Sequence, residues 1–171
     1  MVEAGIMAED ERVELLGGEF YEMAPIGLRH VRAVRVLNDL LNEHIRRVAV
    51  IDVQNPILLN DKSRPQPDVI VLHRRDYPGY PSPADVFVVI EVADSSLAYD
   101  RDVKFPRYAA AGIPEAWLVD LNANVIERYS DPRDGRYRQI FVAGIGDVLS
   151  STTLPDLAIP VAAVVGPTVQ P

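Results

Sequence analysis

The spacing of apolar residues along the chain divides it into elements. From about 28 to 47, Val31, Val34, Leu37, Leu40, Leu41 and Ile45 recur at three- and four-residue intervals, which predicts one long helix with a single apolar face. Pro25 and Gly27 break the chain before it, and Arg29, Arg32, Arg35, Arg46 and Arg47 supply most of its polar surface. Residues 9–22 read as a short helix or turn followed by a strand, punctuated by Gly17-Gly18. Residues 48–53 are rich in β-branched side chains and predict a strand, and 56–59 a second extended piece before a turn at 60–63. Pro67 introduces a strand over 68–72, and three prolines and a glycine make 77–83 an irregular loop. Residues 86–92, VFVVIEV, are apolar on both faces, as a central strand covered on both sides should be.

A helix is expected over roughly 96–111, ended by Gly112 and Pro114; Pro106 should either kink it or delay its start to about Lys104. Strands follow over 116–120, 124–130 and 137–142, joined by turns rich in Asn, Asp and Gly. The apolar, proline-punctuated tail from Leu154 predicts a short helix packed on the sheet. Strands and helices mixed in this order point to one α/β domain spanning 1–171, with 1–8 expected to be disordered and 166–171 a tail.

Composition narrows the chemistry. The 171 residues suit one substantial core, and 48% hydrophobic with 25% charged residues is the balance of an ordinary soluble protein. No apolar run approaches the roughly 20 residues of a membrane helix. The acidic start lacks the pattern of a secretory signal, so a cytoplasmic location is expected. With no cysteine, disulfides, thiolate zinc sites and cysteine nucleophiles are excluded. The histidines at 30, 44 and 73 have no zinc-type spacing, so carboxylates would hold a hard cation such as Mg2+ or Mn2+. A net charge of −8 argues against a general nucleic-acid coating protein but leaves room for a local basic face or a metal site.

Two carboxylates stand out. Glu91 lies near the end of the most apolar strand, where it must be paired, hydrogen-bonded or bound to a cation unless it sits at the strand's wet end. Asp68 enters a strand 23 residues earlier, although Asp after Pro is also common turn chemistry. On adjacent strands the two could hold one divalent ion, which would activate water and offset charge on a phosphate. A nearby cation would complete such a site. Asp100, Lys104 and Tyr108, at i, i+4 and i+8, share one helix face, though an exposed Asp100–Lys104 pair would be the commonplace alternative.

The stretches PQPDVIVL and VFVVIEVADSSLAYDRDVKFPRYAAAGIPEAWLVD, with ERVELLGGEFYEMAPIGLRHVRAVRVLNDLL upstream, resemble the Uma-two family of restriction-endonuclease-like proteins over about 9–165. The resemblance implies a restriction-endonuclease-like α/β core, with a mixed central sheet flanked by helices. It implies a PD-(D/E)xK site whose lysine has moved from the strand, where Ala93 now stands, to the helix. By position, Asp68 and Glu91 would be the metal ligands and Lys104 the catalytic cation. Glu22 and His30 match the family's N-terminal polar positions, and Asp100 and Tyr108 would support the site. Ala116 departs from the aromatic usual there, with a packing consequence. His30, in register with Val34, Leu37 and Leu41, is either a structural histidine or a residue that reaches the site from the helix start. Glu22 either joins the acidic cluster or caps that helix.

The expected activity is metal-dependent hydrolysis of DNA phosphodiester bonds, by a homodimer if both strands are cut. Two rivals stand beside it. One is a catalytically silent interaction module of a defence or mobile-element system, and the other is a hydrolase acting on a different phosphoester.

Overall fold

In the apolar run around Glu91 no face is left for solvent, and the strand it forms, β5 (Val86–Ala93), lies inside a six-stranded sheet. The computed structural model describes residues 12–166; the expectations for 1–8 and for 167–171 lie outside the described residues. The sheet order is β3 (Ala49–Val53), β4 (Val69–His73), β5, β6 (Glu115–Asp120), β7 (Val125–Arg133), β8 (Arg136–Gly144). Only β5 and β6 are parallel; every other neighbour pair is antiparallel, so the sheet is mixed as expected.

Helix α1 (Leu28–Ile45) covers one face, burying Ala33, Val34, Leu37, Leu41 and Ile45 against Val69, Val71, Val88, Ile90 and Trp117. The same layer holds a small antiparallel pair, β9 (Val148–Ser150) and β10 (Ala158–Pro160), and the short helix α4 (Val161–Val165). The tail helix is therefore found, while β9 and β10, three residues each, are too short to announce themselves by period. The other face is covered by the crossover between parallel β5 and β6, the helical connection such a pair requires. It buries Phe105 and Tyr108 on Ile70, Val89 and Leu118.

That crossover meets neither expectation for Pro106 in full. It runs as α2 (Leu97–Tyr99), a π-helical turn (Asp100–Lys104) and α3 (Phe105–Ala110), so that the regular α-helix containing Pro106 begins next to Lys104 but continues from helical turns already started at Leu97. The N–H of Phe105 reaches five residues back to the carbonyl of Asp100, and the missing N–H of Pro106 falls in the first turn of α3, where a proline is tolerated. The N-terminal segment also differs. Its described part is a hairpin, β1 (Val13–Leu16) and β2 (Glu19–Glu22), closed by Gly17 and Gly18, both at positive φ. A two-residue turn of that hand needs residues that tolerate positive φ, and glycine supplies it without a Cβ penalty. Residues 56–59 join no strand: Ile57 and Leu58 donate instead to the carbonyls of Pro65 and Pro81. No helix among the described residues is long and apolar enough to cross a membrane.

Candidate active site

A polar cleft opens where the C-terminal half of β5, the start of β4, the first turn of α1, the β1–β2 hairpin and the crossover helix meet. His30, Asp68, Glu91, Asp100 and Lys104 all line it, together with Arg12, Glu14, Asp94 and Tyr99. The antiparallel register that pairs Val69 with Ile90 brings Asp68 alongside Glu91, and the backbone N–H of Val92 donates to Asp68 Oδ2 at 2.8 Å. Asp68 Oδ1 lies 2.9 Å from His30 Nε2, so the histidine at the helix start does reach the strand ends. Burial works against a charged imidazole, but the carboxylate beside it wins and raises the His30 pKa above its ordinary value.

Lys104 comes in from the π turn and is buried, 2% exposed, as is Glu91. Its Nζ lies 2.6 Å from Glu91 Oε1 and 3.2 Å from Glu14 Oε2. The exposed i, i+4 pair with Asp100 does not form, because the wider π turn aims the lysine into the cleft; Asp100 accepts the Ser96 hydroxyl at 2.6 Å instead. Tyr108 sits beneath the cleft and donates to Glu91 Oε1 at 2.5 Å. Its hydroxyl is driven to a higher pKa by burial and by Glu91.

Glu22 stands apart. It is exposed at the end of β2, does not line the cleft, and does not cap α1, whose N-cap is Gly27. The hairpin pairs Val13 with Glu22 and Glu14 with Tyr21, and successive residues of a strand point to opposite faces. The carboxylate delivered to the cleft is therefore Glu14, 3% exposed. A signal for it existed in the sequence: Glu14 lies two residues before the buried Leu16, on the inward face of a strand ending in Gly-Gly.

The electrostatics are lopsided. Glu14, Asp68, Glu91, Asp94 and Asp100 line the cleft against Lys104, Arg12 and His30. Burial raises the Glu91 pKa well above the usual carboxylate range; Lys104 opposes this, while Asp100, Asp68 and Glu14 reinforce it. Burial alone would lower the Lys104 pKa, but Glu91, Glu14 and Asp100 together raise it and keep the ammonium charged. Asp100 is pushed up to about 6, chiefly by burial.

This donor set fits a hard divalent cation. Negative charge exceeds what the lysine neutralises, and Glu91 Oε2 receives no hydrogen bond from a described residue although Glu91 lines the cleft. Among the described residues no three histidine or carboxylate side chains converge as a ready-made cage. Asp68 and Glu91 are the pair that could hold such an ion, with water completing the shell, as magnesium commonly requires.

The sequence profile of the Uma2 family, described as "Putative restriction endonuclease", matches residues 3–162. The chain belongs to the Uma2 family. Among solved structures it is similar to one described as a "putative nuclease belonging to DUF820" from Anabaena variabilis. The two share a TM-score of 0.70 at 13% identity, over 95% of this chain and 94% of that one. At that identity the likeness shows the fold, an α/β core with a mixed six-stranded sheet flanked by helices. No curated protein matches the chain. Within the Uma2 family frame, the hydrophobic sheet and crossover helix make up the core, and the buried polar residues Glu14, Asp68, Glu91, Asp100 and Lys104 gather in the cleft at the strand ends.

Proposed function

We propose that this Uma2 protein is a metal-dependent endonuclease that hydrolyses DNA phosphodiester bonds in this cleft. The observation that carries the reading is a buried, charged Lys104 held beside Glu91 and within one cleft of Asp68. Asp68 and Glu91 would hold Mg2+ or Mn2+, which when bound would supply a Lewis acid that makes water nucleophilic near neutral pH. Lys104 presents an ammonium to charge developing on the phosphate, in a site where burial strengthens such an interaction. Tyr108 fixes one Glu91 oxygen, and His30 together with the Val92 N–H fixes both oxygens of Asp68. Such outer partners orient a ligand and hold its lone pairs in place. Asp100 adds negative charge that favours a cation and keeps Lys104 protonated. Cutting both strands would need two clefts, which a homodimer supplies.

The test is cleavage of supercoiled, linear and branched DNA with Mn2+ by wild type, Asp68→Ala and Lys104→Met, with circular dichroism as the folding control. Both variants should fold and cut at least about a hundredfold more slowly, the scale of losing a charge-stabilising group. Equal cleavage by all three would mean a contaminating nuclease and would remove the assignment. Mn2+ binding without cleavage of any DNA would favour the silent interaction module, which the net charge of −8 also suits.

A further inference from the structure

A cation on Oε2 of Glu91 would share that carboxylate's single charge with Lys104, whose ammonium lies on Oε1 beside the Tyr108 hydroxyl, and two positive groups on one carboxylate repel each other. A fully buried ammonium left without a partner is strongly disfavoured. The lysine therefore needs a second seat if Glu91 is to serve a metal.

We propose that Glu14, on the β1–β2 hairpin, is that seat: a positioning residue that holds Lys104 in the cleft and so releases Glu91 to a divalent cation. The inference rests on the metal-site reading above and adds a residue to it. Glu14 Oε2 lies 3.2 Å from Lys104 Nζ and also accepts the backbone N–H of Gln66 at 2.9 Å. Its Oε1 accepts the Tyr99 hydroxyl at 2.7 Å. Apart from Lys104, two donors from separate segments, the Gln66 N–H and the Tyr99 hydroxyl, thus fix Glu14 independently of Glu91, and the ring of Tyr21, its cross-strand neighbour, lies tilted 5.5 Å from the Tyr99 ring. The lysine is closer to Glu91 than to Glu14, and both carboxylates are within its reach. A small swing toward Glu14 frees Glu91 without exposing or orphaning the ammonium.

The test is a double-mutant cycle on Mn2+ affinity, read by calorimetry and therefore independent of turnover. Wild type, Glu14→Gln, Lys104→Met and the double variant are compared, each checked by thermal melting. Glu14→Gln should weaken Mn2+ binding about tenfold when Lys104 is present, the range seen for residues that act behind a ligand. With Lys104→Met in place, the same change should matter less than about twofold, because no ammonium remains to hold back. Equal loss in both backgrounds would mean that Glu14 acts on the cation directly, and no loss in either would mean that it holds nothing; each overturns the proposal. If Glu14→Gln fails to fold, Tyr99→Phe replaces it. This removes one of the donors that fix Glu14, and it should give a smaller loss that also disappears with Lys104→Met; an additive or flat cycle overturns the proposal equally. Absence of Mn2+ binding by wild type at millimolar concentrations would take down the metal site as well. An additive cycle in a protein that does bind takes down Glu14 alone.

Discussion

Glu91 on β5 and Glu115 on β6 stand on neighbouring parallel strands, 2% and 0% exposed. Glu115 is saturated by neutral donors. Trp117 Nε1 donates to its Oε1 at 2.6 Å, and its Oε2 accepts the Ser151, Thr152 and Thr153 hydroxyls and the Thr152 and Thr153 N–H groups within 3.1 Å. It pins the 151–153 loop to the sheet and so helps to seat β9 and β10. Glu91 shares one oxygen between an ammonium and a phenol, leaves the other without a hydrogen bond from a described residue, and faces further carboxylates. Burial alone therefore does not mark a functional acid. What separates the two is whether the surrounding groups complete the carboxylate or leave it short of positive charge.

One substitution made at both positions would break or sharpen that contrast. Glu91→Gln should abolish Mn2+-dependent cleavage by at least about a thousandfold, roughly 4 kcal/mol of transition-state stabilisation. Its melting temperature should move little, since the amide oxygen still accepts from Tyr108 and Lys104 keeps Glu14 as a carboxylate partner. Glu115→Gln should do the reverse. Its amide NH2 would face the N–H groups of Thr152 and Thr153, leaving buried donors unsatisfied, at a cost of about 3 kcal/mol. Urea denaturation would read that loss, and calorimetry should find Mn2+ affinity unchanged. A Glu115 variant that loses Mn2+ while still folded would end the division between the two glutamates.

How much of this was legible in the sequence follows from the range of the interactions. Glu91 announced itself because every neighbour in its strand is apolar, and α1 because its period is regular over eighteen residues. Strand adjacency and helical spacing allowed Asp68 and Lys104 near it, but turn chemistry and a surface ion pair explained them equally well, and the family resemblance assigned them to the site. Glu14 was missed because its strand is four residues long and ends in two adjacent leucines, which blurs the alternation and invites a helical or turn reading. Glu22 came from the family resemblance, and only the hairpin register shows that Glu14 and Glu22 lie on opposite faces. The π turn has no local signature beyond Pro106, yet it decides that Lys104 faces Glu91 and Glu14 and forms no surface pair with Asp100. The donors on Glu115 Oε2 arrive from more than thirty residues away, which no local period can show.

The smallest expected effect concerns Asp100, which lies between the two glutamates in kind. It is 4% exposed and has one hydroxyl partner, Ser96. Its pKa is pushed up to about 6 from an ordinary 3.8, by burial first, with Asp68 and Glu14 adding to it against Lys104 and Ser96. A carboxyl whose folded-state pKa is raised binds its proton more tightly in the folded than in the unfolded chain. Ionised Asp100 therefore opposes folding above pH 6, and that opposition fades as pH falls from 6 toward 4. Without metal, Asp100→Asn should stabilise the protein by up to about 3 kcal/mol at pH 7.5, an amount set by the size of the shift. The gain should shrink to about half a kcal/mol near pH 4, where Asp100 is protonated in the folded state and close to its ordinary pKa of 3.8 in the unfolded one. Urea denaturation at the two pH values, with a chelator present, reads the difference directly. Added Mn2+ should then reduce the advantage of the variant at pH 7.5, because a cation in the cleft stabilises the carboxylate that the substitution removes. An advantage independent of both pH and metal would mean that Asp100, like Glu115, is a packing residue and that its charge plays no part in the cleft.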